Sequence, residues 1–328
     1  MRKLLVIGIV LLLFIGASVV SGYQIHSNPQ PLGRGWLYVG GSGPGNYTRI
    51  QDAVDNASDG DTVFVYDDSA PYHENVVVYK SVRLTGENKE TTVIDGDDET
   101  STLELFADGI ILQEFTLRHR QELQEEFMNV LTVYSNNNTI SHNIFNGELS
   151  RRETMIMLKN SSRNIISQNR IEHVFYRGIE LRNSHENEIS GNIITGVIWT
   201  RGVGITLIDS SNNIIKRNEI TSISCCVELN ELSQQVINNQ IIQNNFIRYY
   251  FRMSGVYFYY DHYYHVGNRG NTFDENYWNR PRLVPKYVLG WISLFRVPMK
   301  HYWYPLRIPL PKFDMHPAQE PYDILGVS

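Results

Sequence analysis

Cysteine is nearly absent from the sequence, since Cys225 and Cys226 are the only 2 among 328 residues. Adjacent cysteines do not easily reach ordinary disulfide geometry, so the chain has no disulfide framework. Two thiols are also too few ligands to specify a soft-metal site. We therefore expect both cysteines to serve packing, and a large core or a repeated unit to stabilise the fold.

The sequence also lacks an excess of basic residues. Its formal net charge is -6, with 35 acidic side chains against 29 lysines and arginines. Proteins that bind nucleic acids present a basic face to the phosphates. Nucleic acid is therefore not an expected partner.

Long apolar runs are missing everywhere except at the N-terminus. There, two basic residues precede an uncharged apolar run from Leu4 to Val20. This arrangement is typical of a secretory signal, so we predict that residues 1–22 direct export to the cell surface or the extracellular space. The alternative is a retained anchor, because about 17 apolar residues lie at the lower limit for spanning a bilayer. Membrane contact is expected only through this segment.

Asparagine, by contrast, is frequent and periodic. The pattern N-x-I-x-x-N-x-I, with aromatic replacements, recurs about every 25 residues, a period typical of solenoids. A further copy, with glutamine at both amide positions, is predicted from Gln235 to Ile242, and the longer interval after it indicates an insertion. The clear copies run from Asn138 to Phe145, Asn164 to Ile171, Asn187 to Ile194, Asn213 to Ile220 and Asn271 to Trp278.

A second short apolar alternation precedes each copy. Alternation with period 2 directs every other side chain into one interior, and no stretch in the unit is long enough for a helix. Each unit therefore predicts one three-stranded rung of an all-β, single-stranded parallel β-helix. Leucine-rich repeats have a similar period but need a single asparagine and a helical segment. The alternating pairs are Leu131/Val133, Ile156/Leu158, Ile179/Leu181, Ile205/Leu207, Val227/Leu229 and Val256/Phe258.

The asparagine pairs are predicted to be structural. Asparagine tolerates the left-handed backbone of tight corners, and its amide both donates and accepts hydrogen bonds. Because stacked rungs lie about 4.8 Å apart, equivalent amides should hydrogen-bond to one another in a ladder. The predicted ladder contains Asn138, Asn143, Asn164, Asn169, Asn187, Asn192, Asn213 and Asn218.

A short helix is predicted ahead of the repeats. Apolar residues from Ile50 to Ala57 recur at helical spacing, and Thr48 or Asn46 could cap such a helix. The open end of a solenoid must be covered, because its strand edges would otherwise pair with other chains. We expect this helix to be the N-terminal lid.

The composition changes at Asn279, where the repeat stops and proline and aromatic residues predominate. We predict that residues 279–328 form an irregular strap over the C-terminal end of the solenoid. The β-helix with its N-terminal cap is then expected to occupy residues 23–278.

Three features of the sequence resemble the right-handed parallel β-helix, or pectin-lyase-like, superfamily. They are the repeated units, the preceding stretch GSGPGNYTRIQDAVDNASDGDTVFV and the closing stretch NTFDENYW. The sequence is similar to exported archaeal surface proteins with NosD-type repeats, also called carbohydrate-binding and sugar-hydrolysis repeats. The resemblance covers about Gly40 to Trp278, and it implies a right-handed parallel β-helix. It does not specify an activity, because enzymes and non-enzymatic modules share this scaffold.

Catalytic motifs of the enzymes in this superfamily are not visible in the repeats. Polygalacturonase-like hydrolysis implies paired aspartates with His-Gly and Arg-x-Lys elements, and alginate-epimerase-like chemistry implies Asp-Pro-His-Asp. Pectate-lyase-like elimination implies a Ca²⁺ cluster of carboxylates with an arginine base. Their absence favours a binding protein over these enzymes, although a divergent lyase or hydrolase remains the alternative.

One outward-facing column offers candidate catalytic carboxylates. Glu180 and Glu228 should lie two rungs apart, roughly 9.6 Å between backbones, which is near the upper end of carboxyl separations in inverting glycosidases. Arg177 and Arg201 flank this face and could hold an acidic sugar. The alternative is that outward strand positions are charged for solubility alone. The aligned column contains Met157, Glu180, Thr206, Glu228 and Tyr257.

The insertion RYYFRMSGVYFYYDHYYHVGN is a second candidate site. Aromatic faces beside polar groups can bind sugar rings, so Tyr257, Tyr259, Tyr260 and Tyr263 are predicted ligand-binding residues. The alternative is that these rings pack beneath the C-terminal strap.

The same insertion contains candidate metal ligands. Asp261, His262 and His265 could bind a metal ion, although His-x-x-His on irregular backbone is a weak signal. Copper would fit the NosD-type resemblance, and Ca²⁺ the lyase-like one.

The sequence thus favours an exported β-helix that binds a polysaccharide, a cell-surface glycan or another surface polymer. A divergent polysaccharide lyase or hydrolase and a NosD-type accessory to copper-enzyme maturation are the alternatives.

Overall fold

A computed structural model gives the fold, and the residues it describes all belong to one compact unit, Gly33–Ser328. The predicted signal segment lies outside the described residues. Within the described part, no helix is long and apolar enough to cross a membrane. Only the backbone is described for residues 256–260, 289–299 and 302–309. The described ranges are 35–96, 100–119, 128–147, 153–197, 202–221, 223–232, 236–247, 256–260, 270–299, 302–309 and 312–324.

Three sheets, which we name A, B and C, form the faces of the solenoid, with strands numbered β1 to β29 along the chain, and all their pairings are parallel except those of β28 and β29 with β27. Sheet A has 10 strands: β1 (Trp36–Val39), β2 (Thr62–Val65), β4 (Arg83–Gly86), β7 (Ile111–Gln113), β10 (Thr139–Ser141), β13 (Ile165–Ser167), β16 (Glu188–Ser190), β19 (Ile214–Lys216), β22 (Gln240–Ile242) and β25 (Thr272–Asp274). Sheet B has 8: β5 (Val93–Gly96), β8 (Thr116–His119), β11 (Ile144–Asn146), β14 (Arg170–Val174), β17 (Ile193–Gly196), β20 (Glu219–Thr221), β23 (Asn245–Ile247) and β26 (Tyr277–Trp278).

Sheet C carries the longest strands and has 11 members in all. They are β3 (Val76–Val78), β6 (Leu103–Leu105), β9 (Met128–Val133), β12 (Glu153–Lys159), β15 (Arg177–Arg182), β18 (Val203–Ile208), β21 (Cys225–Glu231), β24 (Val256–Tyr260), β27 (Lys286–Met299), β28 (Tyr302–Pro309) and β29 (Lys312–Asp314). Successive rungs pair in parallel and in register, which confirms the predicted right-handed parallel β-helix.

The core is a continuous apolar column inside the three sheets. Each rung contributes two inward residues from sheet C and one from each of the other sheets, because side chains alternate along a strand. In the turn formed by β13, β14 and β15, these are Ile166, Ile171, Ile179 and Leu181, and all four are 0% exposed. The alternation that the sequence shows therefore marks the interior correctly.

Two asparagine ladders run along the corners on either side of sheet A. Asn164 donates to Asn187 Oδ1 from its backbone N at 2.9 Å and from Nδ2 at 3.1 Å, and its other Nδ2 proton goes to Ser135 O. Each amide thus satisfies its buried donors and acceptors. One ladder contains Asn138, Asn164, Asn187, Asn213, Asn239 and Asn271, and the other Asn143, Asn169, Asn192, Asn218, Asn244 and Asn276.

Contrary to the prediction, the ladder asparagines do not themselves adopt the left-handed backbone conformation. The left-handed residue is the one before each ladder asparagine, as at His142 (φ 58°), Arg163 (φ 58°) and Gln168 (φ 55°). The ladder residue itself must direct its amide into the corner, whereas the left-handed residue is free to differ in type from rung to rung.

The rung predicted from Gln235 to Ile242 was placed in the wrong register. The structure pairs Ile241 with Ile215, and Asn239 and Asn244 continue the two ladders. The repeat in this rung therefore runs from Asn239 to Phe246 and keeps asparagine at both amide positions. Gln235 and Gln240 match the pattern only by spacing.

The N-terminal helix, α1 (Ile50–Asn56), forms as predicted and buries Ile50, Ala53 and Val54. Its capping differs from the prediction, because Arg49 occupies the N-cap position without a side-chain cap. The Glu74 carboxylate instead accepts hydrogen bonds from the N–H groups of Ile50 (2.8 Å) and Gln51 (3.1 Å). A residue of the first rung thus fixes the start of the helix.

The C-terminal extension is more regular than the predicted strap. Strand β27 continues sheet C in parallel with β24, then pairs in antiparallel fashion with β28 and β29. Strands β27 and β28 contain prolines, and strands at the edge of a sheet tolerate proline because not every backbone N–H is needed for pairing. Asp314 in β29 ends the second ladder: its Oδ2 accepts from Asn276 N, Asn276 Nδ2 and Trp278 Nε1 at 2.9, 3.2 and 2.8 Å.

Candidate functional site

The outer face of sheet C carries the aligned column that the sequence predicts. Met157 pairs with Glu180, Glu180 with Thr206, and Thr206 with Glu228, so the two glutamates lie two strands apart. Thr206 between them is buried. The backbone register of β24 places Tyr257 next in this column.

Glu180 is enclosed by two arginines. Its side chain is 1% exposed, and Arg177 Nη1 donates to its Oε2 while Arg182 Nη2 donates to its Oε1 at 2.7 Å. Arg182 Nε makes a second contact with Oε1 at 3.1 Å. Because both carboxylate oxygens are engaged, Glu180 holds the two guanidinium groups in a fixed arrangement.

These arginines border a groove with a volume of about 300 Å³ across β9, β12 and β15. We call it the sheet C groove. Met157 lies between Glu180 and Thr132 along its floor, and Tyr134, Lys159 and Tyr176 line its sides.

Two of the basic groups of the groove lie over aromatic rings. Lys159 Nζ lies 5.7 Å from the centre of the Tyr134 ring, and the Arg177 guanidinium lies 4.7 Å from the centre of the Tyr176 ring. Cation–π contacts of this kind restrict the side chains and keep the charges on the groove surface.

The remaining predicted site residues are not all in one place. Glu228 lies half-buried on the same face, beyond Thr206. Arg201, Tyr263, Asp261, His262 and His265 lie outside the described residues. The backbone of β24 places Tyr257, Tyr259 and Tyr260 on sheet C, and their side chains lie outside the description.

Donors for a metal ion are sparse in the described part of the chain. No group of three His, Cys, Asp or Glu side chains comes together there. Cys226 is buried in the core, and burial together with the neighbouring Cys225 raises the pKa of its thiol well above the ordinary value. A metal ion binds the thiolate, so this thiol is a poor ligand.

Sequence reasoning missed Lys159 and Arg182 as members of the groove. They pair directly with one another and stand two positions beyond Met157 and Glu180. The repeat alignment contained this signal, because residues two apart on a strand share a face.

A buried carboxyl at the start of β12 was also missed. Glu153 is 2% exposed, its Oε1 has no partner among the described residues, and burial raises its pKa to about 8. A single glutamate outside the repeated pattern gives no sequence signal that would reveal its burial.

Comparison with known proteins identifies one matching protein family. A family model described as "Periplasmic copper-binding protein (NosD)" matches residues 54–283. No curated protein matches the chain.

Solved structures with a similar fold include pectin methylesterase from carrot, 12% identical over 74% of this chain and 86% of that chain, with a TM-score of 0.45. Another is a mannuronic acid specific polysaccharide family 6 lyase from human gut microbiota, 15% identical over 75% of this chain and 65% of that chain, with a TM-score of 0.40. Pectin methylesterase PemA from Erwinia chrysanthemi is 9% identical over 82% and 85%, with a TM-score of 0.35. At these identities, the likeness transfers no activity to this chain.

Proposed function

The chain belongs to the NosD family, since the family model matches more than half of it, residues 54–283, and we propose that it is an exported β-helix protein that binds an acidic polymer in the sheet C groove. Residues 1–22 would direct the export. The observation that carries the proposal is the pair of guanidinium groups, Arg177 and Arg182, held by the buried Glu180 carboxylate. The polymer would be a cell-surface glycan or another surface polymer that bears carboxylates.

Charge supports this choice of ligand. The groove is lined by Lys159, Arg177 and Arg182 against one carboxylate, Glu180, in a chain whose net charge is -6. The guanidinium N–H groups that do not contact Glu180 can donate hydrogen bonds to a carboxylate of the ligand. Because Glu180 fixes both arginines before the ligand arrives, little side-chain entropy remains to be lost on binding.

The same contacts give Glu180 a positioning role in this proposal. A carboxylate with both oxygens engaged by arginines is poorly placed to donate or accept a proton in a reaction. A lyase or hydrolase that uses Glu180 and Glu228 as catalytic residues is therefore the alternative hypothesis. Product formation that Glu180→Gln or Glu228→Gln abolishes would favour that alternative.

Binding of a galacturonate hexamer tests the proposal. We expect the mature chain to bind it, with an affinity that falls as salt is added, because exposed charges are screened. Removing both exposed charges with Lys159→Gln and Arg182→Gln should weaken binding roughly tenfold. The matched control is Arg163→Gln, which removes one exposed charge outside the groove, where Arg163 pairs with Glu186.

Equal binding by the groove variant and the control would refute the groove as the binding site. The same samples are analysed for shortened or unsaturated sugars. Turnover in the wild type would make the protein an enzyme.

Copper binding is a second candidate function, and the description of the matching family is the observation that favours it. The donors in the described residues do not fit a copper site, because the buried Cys226 thiol stays protonated and no three ligand-type side chains meet there. Copper would therefore need other donors, and Asp261, His262 and His265 remain the candidates that the sequence offers.

Copper titration against a coloured chelator tests this second function. Stoichiometric copper that is lost in the His262→Ala/His265→Ala variant and kept in Cys225→Ser would support it. Copper retention that is the same in the histidine variant and the wild type would exclude these donors.

A further inference from the structure

Exposed apolar side chains are grouped at the C-terminal end of the solenoid. The loop of residues 279–285, between β26 and β27, carries Leu283 and Val284, which are 96% and 65% exposed. Beyond it, Tyr287 and Phe313 pair across β27 and β29 with ring centres 5.8 Å apart, and both are exposed, as is Met315. Single apolar residues on a surface are common, but a group of this kind is typical of a contact surface.

The loop presents its apolar tip on a fixed base. Prolines restrict the backbone on both sides of the tip. Gln319 Nε2, in the C-terminal tail, donates a hydrogen bond to Arg282 O. Lys286, directly after the loop, is 7% exposed, and its Nζ lies 5.7 Å from the centre of the Trp278 ring. The contacts of its neighbours therefore hold the tip in place.

The same end of the molecule is basic. Residues 280–312 contain 7 lysines and arginines and neither aspartate nor glutamate, in a chain whose net charge is -6. The strands of this segment, β27 to β29, form the C-terminal end of sheet C. Asp314, which follows the segment, is buried with three donors on its Oδ2. The exposed carboxylates of the adjoining tail, Glu320 and Asp323, do not balance this positive charge.

Two of these cations flank the apolar tip. Arg280 and Arg282 make no ion pair with any residue in the described part of the chain. Burial lowers the pKa of the Lys286 ammonium to about 8, and the charges of Arg282 and Arg280 add to this effect. The positive charges therefore lie close together, and the guanidinium groups keep hydrogen-bond donors for the oxygens of a phosphate.

We infer that this end of the protein docks on a lipid bilayer that contains anionic lipids, with Leu283 and Val284 inserted below the headgroups and the flanking arginines at lipid phosphates. Basic residues near an anionic bilayer are attracted by its surface potential. Apolar side chains lose their contact with water when they enter the boundary between headgroups and acyl chains. The inference goes beyond the proposed function, because this surface is separate from the sheet C groove.

Two other partners carry the complementary charge. Residues 35–96 contain 10 acidic and 4 basic side chains, so the N-terminal region of a second copy could meet this end, and so could the acidic polymer of the groove. A bilayer is favoured because it accepts a protruding apolar tip of any shape. A protein partner would need a matching pocket, and a polymer of acidic sugars offers no apolar layer.

Sedimentation with lipid vesicles tests the inference in the mature chain, which lacks the predicted N-terminal anchor. We expect binding to vesicles of phosphatidylcholine and phosphatidylglycerol in equal parts, weaker binding to phosphatidylcholine alone, and a decrease with added salt. Leu283→Ser/Val284→Ser and Arg280→Gln/Arg282→Gln should each bind the mixed vesicles about tenfold more weakly.

Matched controls change similar residues elsewhere. Leu232→Ser alters an apolar residue that is 62% exposed outside this end. Arg163→Gln/Arg217→Gln removes two exposed charges. Both controls should bind the vesicles normally. So should the groove variant Lys159→Gln/Arg182→Gln, so that failure of the groove and failure of the docking surface are measured separately.

Equal vesicle binding by the loop variants and the controls, or no binding by the wild type, would overturn the docking. Loss in the arginine variant alone would overturn insertion of the tip, and displacement of the vesicles by inorganic phosphate would make this a phosphate site. Self-association without lipid that both loop variants abolish would identify a second copy as the partner. Retention on polygalacturonate that only the loop variants lose would identify the polymer, and either result without vesicle binding would overturn the bilayer.

Discussion

Each turn of the solenoid has two kinds of corner that are built on opposite rules. From β10 onward, the connection between sheets A and B is a left-handed residue followed by a ladder asparagine, as in His142 and Asn143. Between sheets B and C, the connection varies: β15 begins soon after β14 ends at Val174, whereas β9 begins only at Met128, well after β8 ends at His119.

The difference shows which connections stabilise the fold and which can vary in length. The amide ladder satisfies every buried donor in the same way on each rung, so a change of length there would break the hydrogen bonds on both sides. The edge that leads into sheet C carries no such ladder in the described residues, and it borders the charged groove. Variable connections beside a rigid face are where binding functions concentrate.

Removing one ladder amide is the strongest test of this comparison. In Asn192→Leu, the N and Nδ2 of Asn169 lose their shared acceptor, and the Asn218 amide loses a donor. Buried polar groups without partners cost about 1–3 kcal/mol each, so we expect a loss of about 4 kcal/mol in unfolding free energy. Urea unfolding measures it.

The paired change on the other side is Lys159→Gln in the groove, which removes an exposed side chain whose contact is with the Tyr134 ring. It should alter stability by less than about 1 kcal/mol. Equal losses in the two variants would remove the distinction between structural corner and functional edge.

Glu153 tests whether the edge leading into sheet C carries a stability cost. Burial raises its pKa from an ordinary value of 4.5 to about 8, so between these pH values the folded state keeps a proton that the unfolded state has released. Unfolding free energy should therefore fall as pH rises from 4.5 to 8, and this contribution should be flat on either side. We expect a fall on the order of 3 kcal/mol.

The control for this pH profile is Glu153→Gln, which cannot ionise. It should flatten the profile between pH 4.5 and 8 and be the more stable protein at pH 8. Identical profiles for the variant and the wild type would show that Glu153 is solvated and that this edge is not strained.

Asp314 provides a test of the hydrogen bonds at the end of the ladder. Asp314→Ala removes the acceptor of three buried donors on Asn276 and Trp278 and should cost about 2 kcal/mol, less than a central break because the last rung can open locally. Asp314→Asn keeps one oxygen and should recover most of the loss. Thermal melting with hydrogen exchange of the last rung measures both, and an unchanged exchange rate would mean that the tail does not secure the end.

The sequence predicts the regular parts because their chemistry repeats. Isoleucine at period 2 and asparagine at equal spacing each have one physical use in a stacked rung, so the core and the ladders could be assigned from the pattern. The C-terminal strands escaped prediction because Pro298, Pro305 and Pro309 occur inside β27 and β28. Only pairing with neighbouring strands makes those segments extended.

The groove was partly predictable. Glu180 and Arg177 were found by aligning outward positions, but the closure of Glu180 by Arg182 depends on side-chain conformations that no spacing encodes. The left-handed residues were missed for a related reason. His142, Arg163 and Gln168 share a backbone angle and no side-chain chemistry, so the sequence gives no common signal.

The smallest predicted effect concerns the left-handed residue of the corner between sheets A and B. Gln168 has φ 55°, a conformation that costs an L-residue about 1–2 kcal/mol, and the equivalent position one rung later is Gly191 with φ 66°. Gln168→Gly should therefore stabilise the protein by about 0.5 kcal/mol after the greater chain entropy of glycine is included. The reciprocal Gly191→Ala should destabilise by about 1 kcal/mol through φ alone, because an added Cβ would come no nearer than 3.6 Å to Gln168 Cγ. If Gln168→Gly instead destabilises, the side chain at this position contributes contacts of its own, and the corner demands more than an amide and a backbone angle.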